Sequence, residues 1–338
     1  MIKIGFDISQ LAHNGGVNTY TYNLTKELVK FKDLDLNFFY SSLRKPYSGK
    51  LPNVKEYKIP PTILEILLND SRAVSVDSFI GKVDVFHSSD WIQPKTSAKK
   101  VTTYHDLVPI LYPQWSDPKI VKVHKKRLQL VEKEVDIVIA VSEATKKDLL
   151  RVSKIPEEKI KVVYEGVDDI FRPQAKEKVE EFRKRNNLPE NFVLSIKGVG
   201  ERRNLTNVKK AVGNFDLVVS GETIPWVKRE ELPLLYSAAT VLFYPSFYEG
   251  FGLPVLEAMS CGIPVITSNV SSLPEVGGKA SLYVDPDNIS EMEKTLKSVM
   301  LNKSLRQELS QKGIEQASKF SWETCAEKTV AIYKELVK

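Results

Sequence analysis

The sequence predicts an α/β protein with two domains in tandem, each a parallel β-sheet covered by helices. Short apolar segments alternate with longer amphipathic ones along the whole chain, as they do where helices join the strands of a parallel sheet. The same pattern starts again near residue 191, after a charged connection. A length of 338 residues also suits two domains, each large enough to bury its own core.

The first domain is predicted to span residues 1–170. It begins with a strand at 2–9 and a helix at 18–31, and Gly15 and Gly16 lie in the turn between them. Further strands are predicted at 36–40, 83–87, 100–104, 137–141 and 161–164.

Residues 171–190 are predicted to connect the halves, and the second domain to span 191–318. Its first strand, at 191–197, opens onto Gly198, much as the first strand of the chain opens onto a glycine pair. The segment 319–338 has apolar residues at helical spacing, and we expect this helix to return to the first domain.

Composition excludes several classes of protein. With 42% hydrophobic and 27% charged residues, the chain lies in the globular range. The two cysteines, Cys261 and Cys325, cannot form a disulfide framework or a cysteine-rich zinc module, and they suit a reducing compartment. No signal peptide and no bilayer-spanning apolar run is visible, so the expected location is the cytoplasm.

A net charge of +6 raises the question of an anionic partner. Its densest source is a predicted helix that carries Lys119, Lys122, Lys125, Lys126 and Arg127. A solvated helix face is the favoured interpretation, and the alternative is contact with anionic lipid at the inner face of the membrane or with a charged acceptor. Nucleic acid is not expected, because no DNA- or RNA-binding motif accompanies the charge.

The most informative stretch joins a predicted strand at 240–244 to a predicted helix that begins near Pro254. Two glycines lie in the loop between them, so the backbone can approach a ligand closely. The backbone amides of residues 251–253 are expected to be free and to point at the sheet's carboxyl edge, where a helix N-terminus favours phosphate.

Two carboxylates flank this site. Glu249 precedes the helix, and Glu257 is predicted to lie in its first turn, so both can face one pocket. A carboxylate accepts hydrogen bonds from two neighbouring hydroxyls at once, which suits the ribose and the hexose of a nucleotide sugar. The alternative is that Glu257 serves only the helix dipole and Glu249 only a loop.

The chain resembles glycosyltransferase family 4, whose retaining enzymes of GT-B fold carry two glutamates separated by seven residues, as Glu249 and Glu257 are here. Other segments resemble the family in the same order: 15–17, 104–109, 141–143, 163–168, 202–204, 273–276 and 320–323. The resemblance implies two Rossmann-like domains facing each other across a cleft, with the acceptor on the N-terminal side.

The resemblance also implies roles for residues of the second domain. Glu257 would hold the nucleotide ribose, and Glu249 would lie beside the transferred hexose. Arg202 and Arg203 would bind the diphosphate, although the family usually has Arg-Lys at this place. The remaining substrate-binding positions would be Gly198, Gly250, Phe251, Gly252 and Leu253.

In the first domain, the resemblance implies that His105 contacts the transferred sugar. It follows a predicted strand, at the edge where a parallel sheet binds ligands. Gly15 and Gly16 would let the first loop approach the donor phosphate or the acceptor. The other histidines are expected to be structural: His13, His87 and His124.

We predict no metal and no cofactor beyond the sugar donor. Two Asp-x-Asp sequences, 33–35 and 285–287, resemble the metal-binding motif of other sugar transferases, but neither follows a predicted central strand. Cations and helix amides would replace the metal.

The second domain departs from the family in length. About one strand-helix-strand unit is absent or reduced between Asn207 and Leu232, and 215–222 is predicted as the single intervening strand. This shortening predicts that a wall of the nucleotide-base site is missing.

These features predict a retaining, metal-independent hexosyltransferase of polysaccharide biosynthesis. GDP-mannose is the first expected donor and a UDP-hexose the second, with a saccharide or lipid-linked acceptor. Alternatives are a sugar-nucleotide epimerase or hydrolase on the same fold, and a non-catalytic nucleotide-sugar binder or scaffold.

Overall fold

The fold is that of a computed structural model, which describes every residue except Asn14 and Val199. The chain divides into two units: Met1–Gly166 with Trp322–Lys338 form unit 1, and Val167–Ser321 form unit 2. The segment 171–190, predicted as a connection, lies within unit 2. Its helix buries Val179 and Phe182, which explains why it belongs to that unit.

Unit 1 contains a parallel sheet in the order β3-β2-β1-β4-β5-β6-β7. Its strands are β1 (Ile2–Asp7), β2 (Leu34–Ser41), β3 (Val54–Tyr57), β4 (Val85–Ser88), β5 (Lys99–Tyr104), β6 (Ile137–Ala140) and β7 (Ile160–Val162). Its helices before unit 2 are α1 (Gly16–Leu28), α2 (Pro61–Glu65), α3 (Asp77–Ile80), α4 (Val108–Leu111), α5 (Pro118–Glu134) and α6 (Glu143–Val152). The order reverses between β1 and β4, where ligands bind in open α/β sheets.

Unit 2 contains a second parallel sheet, in the order β12-β11-β10-β8-β9. Its strands are β8 (Val193–Ile196), β9 (Leu217–Ser220), β10 (Val241–Tyr244), β11 (Val265–Ser268) and β12 (Leu282–Val284). Its helices are α7 (Lys176–Arg185), α8 (Leu205–Val212), α9 (Leu232–Ala238), α10 (Leu253–Ser260), α11 (Leu273–Gly277), α12 (Ile289–Leu301) and α13 (Lys303–Ala317). The order reverses between β8 and β10.

Single turns of 3₁₀ or π helix complete the two units: Ser9–Ala12, Ile66–Asp70, Pro113–Trp115, Glu157–Lys159 and Arg229–Glu231. The central strands are apolar on both faces, as in sheets covered by helices on each side; all four residues of β10 are buried.

The last helix, α14 (Trp322–Leu336), belongs to unit 1 and packs against α1. Its Tyr333 hydroxyl lies 2.6 Å from Nδ1 of His87, whose Nε2 is 2.8 Å from Oγ1 of Thr103. Burial lowers the pKa of His87 to about 3, so this histidine is a neutral part of the core.

The shortened region of unit 2 contains β9 as the one strand between β8 and β10 in the part of the chain that the structure describes. It lies within the predicted segment 215–222 and forms an edge of the sheet. No further strand pairs with its outer side among the described residues, so the single strand predicted at 215–222 is confirmed.

The basic helix differs from the prediction at Arg127. This residue is fully buried, and its Nη2 donates to Oγ1 of Thr102 and to the carbonyl of Thr103, both at 2.8 Å. Its guanidinium also lies 4.0 Å from the ring centroid of Tyr104. Arg127 is therefore a core residue of unit 1, and the exposed charge of α5 comes from lysines.

Among the described residues, every helix is too short or too polar to cross a bilayer.

Candidate functional site

The loop from β10 to α10 carries five of the predicted site residues. Gly252 precedes α10 in a left-handed conformation, with φ at 111°, which glycine adopts without a steric cost. The Ser272 hydroxyl donates to the carbonyls of Glu249, at 2.8 Å, and Phe251, at 2.7 Å. The neighbouring connection after β11 therefore fixes the shape of this loop.

The start of α10 offers backbone donors. The amides of Gly252 and Leu253 have no hydrogen-bond partner within the described part of the chain, and Pro254 has no N–H. Free amides at a helix N-terminus, together with the helix dipole, favour an anion.

Glu249 is 6% exposed and lies among one tyrosine and two arginines. The Tyr244 hydroxyl donates to its Oε1 at 2.6 Å, Nε of Arg203 lies 3.6 Å from the same oxygen, and Nη2 of Arg202 lies 3.7 Å from Oε2. Burial raises the pKa of this carboxyl, but the two guanidiniums, then the Tyr244 and Ser246 hydroxyls, bring it below its ordinary value. Glu249 is therefore ionised at neutral pH.

The connection after β8 brings both arginines to this carboxylate. The carbonyl of Arg202 accepts from the amide of Phe247 at 2.9 Å. Asn204 is buried with φ at 57°, and its Nδ2 donates to the carbonyl of Pro245 at 3.0 Å. The Arg-Arg-Asn segment is thus joined directly to the loop that carries Glu249.

Gly198 makes room for Arg203. The Nη1 of Arg203 donates to the carbonyl of Lys197 at 2.6 Å, and a Cβ on Gly198 would lie 2.5 Å from its Cδ. The contacts of Gly198 are thus with an arginine side chain; its direct contact with substrate stays a prediction.

The prediction that Glu257 lies in the first turn of α10 is wrong. The helix begins at Leu253, so Glu257 falls in the second turn, away from the free amides. It is 7% exposed, and burial raises its pKa to about 7 even though Arg229 and Tyr236 lower it. The Tyr236 hydroxyl donates to Oε2 at 2.9 Å, and Nη1 of Arg229 lies 3.7 Å from Oε1.

Arg229 and Asp168 were missed as members of this region. Nη2 of Arg229 lies 3.3 Å from Oδ2 of Asp168, and its guanidinium lies 5.3 Å from the ring centroid of Phe171. Asp168 is the last residue of segment 163–168, which resembles the family, and that resemblance could have marked it as a site residue. Arg229 lies in the shortened region, where no pattern in the sequence marked it.

The two glutamates have different hydrogen-bond and ion-pair partners, but the charge of Arg203 acts on both. This guanidinium lowers the pKa of both Glu249 and Glu257. Unit 2 therefore brings together Arg202, Arg203 and Glu249, and places Glu257 within the field of the same arginine.

In unit 1, His105 directly follows β5. Its Nδ1 lies 3.0 Å from Oε1 of Glu165, and its ring packs edge-on against Tyr20 at 4.5 Å between centroids. Burial lowers the pKa of His105, but the hydrogen bond and the charge of Glu165 outweigh it, so the pKa lies above its ordinary value. Glu165 belongs to the family-like segment 163–168, but its pairing across 60 positions could not be predicted.

His105 borders a cavity at the carboxyl edge of this sheet, of about 10 Å³, which is room for about one water molecule. Asp7, Gln10 and Ser89 also line it. Gln10 is 6% exposed, and neither its Oε1 nor its Nε2 has a hydrogen-bond partner among the described residues. The cavity therefore offers polar groups to a single hydroxyl or water.

The first-domain glycines lie at the start of α1. Gly15 precedes the helix with φ at 127°, and Gly16 is its first residue. A Cβ on Gly15 would meet nothing within 4 Å, so its backbone conformation, and not close packing, requires glycine.

Neither Asp-x-Asp sequence directly follows a central strand: the first overlaps the start of β2, which it was expected to precede, and the second follows the edge strand β12. Asp33 precedes β2 and bonds Lys334 at 2.6 Å, and Asp285 follows β12 in a turn, accepting from the amide of Asp287 at 2.9 Å. Within the described residues, no group of three or more His, Cys, Asp or Glu side chains is arranged to hold a metal ion.

Two family models match the chain. The model for glycosyl transferases group 1 matches residues 146–316, about half of the chain, and that for Glycosyltransferase Family 4 matches residues 14–170. An O-antigen chain mannosyltransferase B of Escherichia coli is 29% identical over 281 residues, which cover 74% of each protein. A longer E. coli relative, the serotype-specific mannosyltransferase WbdA, is 24% identical over 68% of this chain, which spans only 32% of that protein.

Solved structures agree on the fold. A sucrose-phosphate synthase from Thermosynechococcus elongatus has a TM-score of 0.78 at 20% identity, with 99% of both chains covered. Anabaena Alr3699/HepE, crystallised with UDP-glucose, has a TM-score of 0.75 at 15% identity, covering 99% of this chain and 100% of that one. With the fold, the paired glutamates and the family models in agreement, the chain belongs to glycosyltransferase family 4 and is an enzyme of glycosyl transfer with the GT-B fold.

Proposed function

We propose that the protein transfers a hexose, with mannose as the first candidate, from a nucleotide diphosphate sugar to an acceptor hydroxyl, with retention at the anomeric carbon and without a metal. The observation that carries this proposal is the cluster of Arg202, Arg203 and Glu249 beside the free amides of Gly252 and Leu253. Mannosyltransferases among the curated relatives support mannose as the sugar.

The chemistry follows from the charges of this cluster. The bond between the anomeric carbon and the diphosphate oxygen breaks, and negative charge builds on the departing diphosphate. Two guanidiniums and two helix amides stabilise that charge most when it is fully developed, which lowers the barrier. A new bond to the acceptor oxygen forms on the same face, and the acceptor proton passes to the departing phosphate oxygen.

The carboxylates bind hydroxyls in this proposal. Glu249 is ionised and already accepts from Tyr244, so it has capacity left to accept from the hexose. Glu257 binds the ribose in its ionised form, which requires a pH above about 7. Among the described residues, Nε2 of His105 has no partner, and we assign it to a sugar hydroxyl.

The proposal also includes a contact of helix α5 with an anionic membrane, where a lipid-linked acceptor would lie. Lys119, Lys122 and Lys125 are exposed on α5, and Ile120 between them is 47% exposed, a combination that suits an anionic lipid surface. Cosedimentation with phosphatidylglycerol vesicles, but not with phosphatidylcholine vesicles, is the expected result. Equal recovery with both would contradict this contact.

Thermal unfolding with UDP, GDP, ADP and their sugars tests the donor. A ligand that binds the native state raises the free energy of unfolding by mass action, by about 2.7 kcal/mol at a hundredfold excess over Kd, and the unfolding temperature rises with it. We expect the largest shift with GDP-mannose, and no shift with any nucleotide would overturn the proposal.

Turnover then separates transfer from rival reactions. A transferase forms a larger saccharide only when an acceptor is present, whereas a hydrolase releases free sugar and an epimerase forms a second nucleotide sugar without one. The anomeric coupling in the NMR spectrum of the product reports retention. Unchanged turnover after chelation with EDTA is expected, and its loss would contradict metal independence.

A further inference from the structure

Trp226 is an exposed indole in the shortened region of unit 2. The sequence has four tryptophans, and Trp226 is the one that lies between residues 167 and 321. It follows β9, in the loop that leads to the turn Arg229–Glu231, and 64% of its surface is exposed. A large aromatic side chain left this open in a folded unit is a candidate contact for a flat partner.

The loop holds the indole in place. Gly221 has φ at 88°, and its amide donates to the carbonyl of Ile224 at 2.9 Å, so the chain folds back after β9. Oγ1 of Thr223 accepts from the amide of Val219 at 2.7 Å and closes the same turn. A Cβ on Gly221 would lie 2.5 Å from both Cε2 and Cζ2 of Trp226, so the ring rests directly on this glycine.

This arrangement lies beside the proposed diphosphate site. The amide of Lys197, at the end of β8, donates to the carbonyl of Ser220, at the end of β9, at 3.1 Å. The residue after each of these is a glycine that a side chain covers. Arg203 covers Gly198, and Trp226 covers Gly221.

The same loop also reaches the proposed ribose site. Arg229 is three residues after Trp226, and its Nη1 lies 3.7 Å from Oε1 of Glu257. The cation for phosphates, the carboxylate for a ribose and the open indole therefore lie on the connections that follow β8, β10 and β9, which are neighbours in the sheet. In a nucleoside diphosphate, the group attached to the ribose opposite the phosphates is the base.

We propose that Trp226 stacks on the nucleobase of the donor and serves as the base platform beside the edge strand β9. This inference rests on the proposed function. Stacking on an indole requires only a flat aromatic face, so Trp226 contributes affinity for any nucleotide, and the choice between guanine and uracil depends on other contacts.

Calorimetric titration of the full chain with GDP and with inorganic pyrophosphate tests the proposal. Trp226→Ala is expected to weaken GDP binding about 5- to 150-fold, the usual range for losing one base–aromatic stack, and to leave pyrophosphate binding unchanged. Trp226→Phe keeps an aromatic face and is expected to retain most of the affinity. Gly221→Ala, which displaces the indole, is expected to weaken GDP binding in the same direction.

Fluorescence supplies an independent readout. GDP is expected to quench the emission of the wild type, and Trp226→Phe to abolish that quenching although three tryptophans are left. Gly213→Ala is the matched control, because Gly213 also has a positive φ, at 59°, but a Cβ there would meet nothing within 4 Å.

Three results for Trp226→Ala would overturn the inference while leaving the proposed function intact. The affinity for GDP could be unchanged, or the affinities for GDP and pyrophosphate could fall by the same factor. The variant could also differ from the wild type only in self-association or in vesicle binding. If wild-type protein binds none of UDP, GDP and ADP, the proposed function fails first, and this inference fails with it.

Discussion

Glu249 and Glu257 lie eight positions apart and are almost equally buried, yet their pKa values shift in opposite directions. Around Glu249, two guanidiniums and two hydroxyls outweigh burial, and the pKa falls. Around Glu257, the Arg229 guanidinium at 3.7 Å, the Tyr236 hydroxyl and the charge of Arg203 do not outweigh burial, and the pKa rises to about 7.

The difference comes from the charges and hydrogen bonds around each carboxyl, since the two exposed fractions are almost equal. It also separates two roles. Glu249 is a fixed negative charge beside two arginines, whereas Glu257 changes its charge in the physiological range and makes the proposed ribose site sensitive to pH.

The largest expected effect comes from removing the fixed charge. Glu249→Gln keeps the shape of the side chain but no longer orients Arg202 and Arg203, so we expect kcat to fall about 1,000-fold, as when one preorganised group of a charged site is lost. Steady-state kinetics measures it, with circular dichroism as the control for folding. A kcat within a factor of three of the wild type would remove Glu249 from the site.

The next effect concerns stability at Glu257. The folded pKa of about 7 exceeds the ordinary value of 4.5, so the native state binds the proton more tightly than the unfolded chain. The free energy of unfolding should therefore fall as pH rises from about 4.5 to about 7, by about 3 kcal/mol in all, and level off above.

Urea unfolding between pH 5 and pH 8 measures this slope, and Glu257→Gln should remove its share of it. Glu249, with a lowered pKa, supplies the contrast: its contribution is complete above pH 4.5 and is lost only as pH falls further. Identical slopes in the wild type and in Glu257→Gln would refute the titration of Glu257.

A smaller effect is expected at the glycine beneath Arg203. Gly198→Ala places a methyl group 2.5 Å from the present position of Arg203 Cδ, so the arginine must shift, and kcat should fall about tenfold, the effect of a modest misplacement. Gly213→Ala is the control: its strained backbone costs about 1–3 kcal/mol of stability, but its turnover should be unchanged. Equal kcat in both variants would contradict the role of Gly198.

The last effect is on the free energy of unfolding and comes from the two tyrosines. Tyr244→Phe and Tyr236→Phe each remove one hydrogen bond to a glutamate, worth about 2 kcal/mol when the acceptor is charged and about 1 when it is neutral. At pH 8, urea unfolding should show similar losses of stability in the two variants. At pH 5.5 the loss in Tyr236→Phe should shrink because Glu257 is protonated, and a loss that stays equal for the pair would argue against the difference in pKa.

Much of this architecture could be predicted because local patterns specify it. Apolar runs such as 241–244 and 265–268 have the length and composition of buried parallel strands, and the loop before Pro254 has the glycines of a ligand-binding turn. The edge strand β3 was missed because it is short and half-exposed and has no apolar run.

Pairings across the chain could not be predicted in the same way. The contact of His105 with Glu165, and that of Arg229 with Glu257, depend on which loops the sheet order brings together. The position of Glu257 failed for a smaller reason: the helix starts one residue earlier than Pro254 suggested, and helix ends are the least certain part of a sequence-based assignment.

The return of α14 to unit 1 has a consequence for biosynthesis. Unit 2 is one continuous stretch of the polypeptide, so it can complete its sheet as soon as residue 321 has left the ribosome. Unit 1 is interrupted, and the face of α1 that α14 covers stays open to chaperones until residues 322–336 are made. The half that begins first is thus the half that matures last.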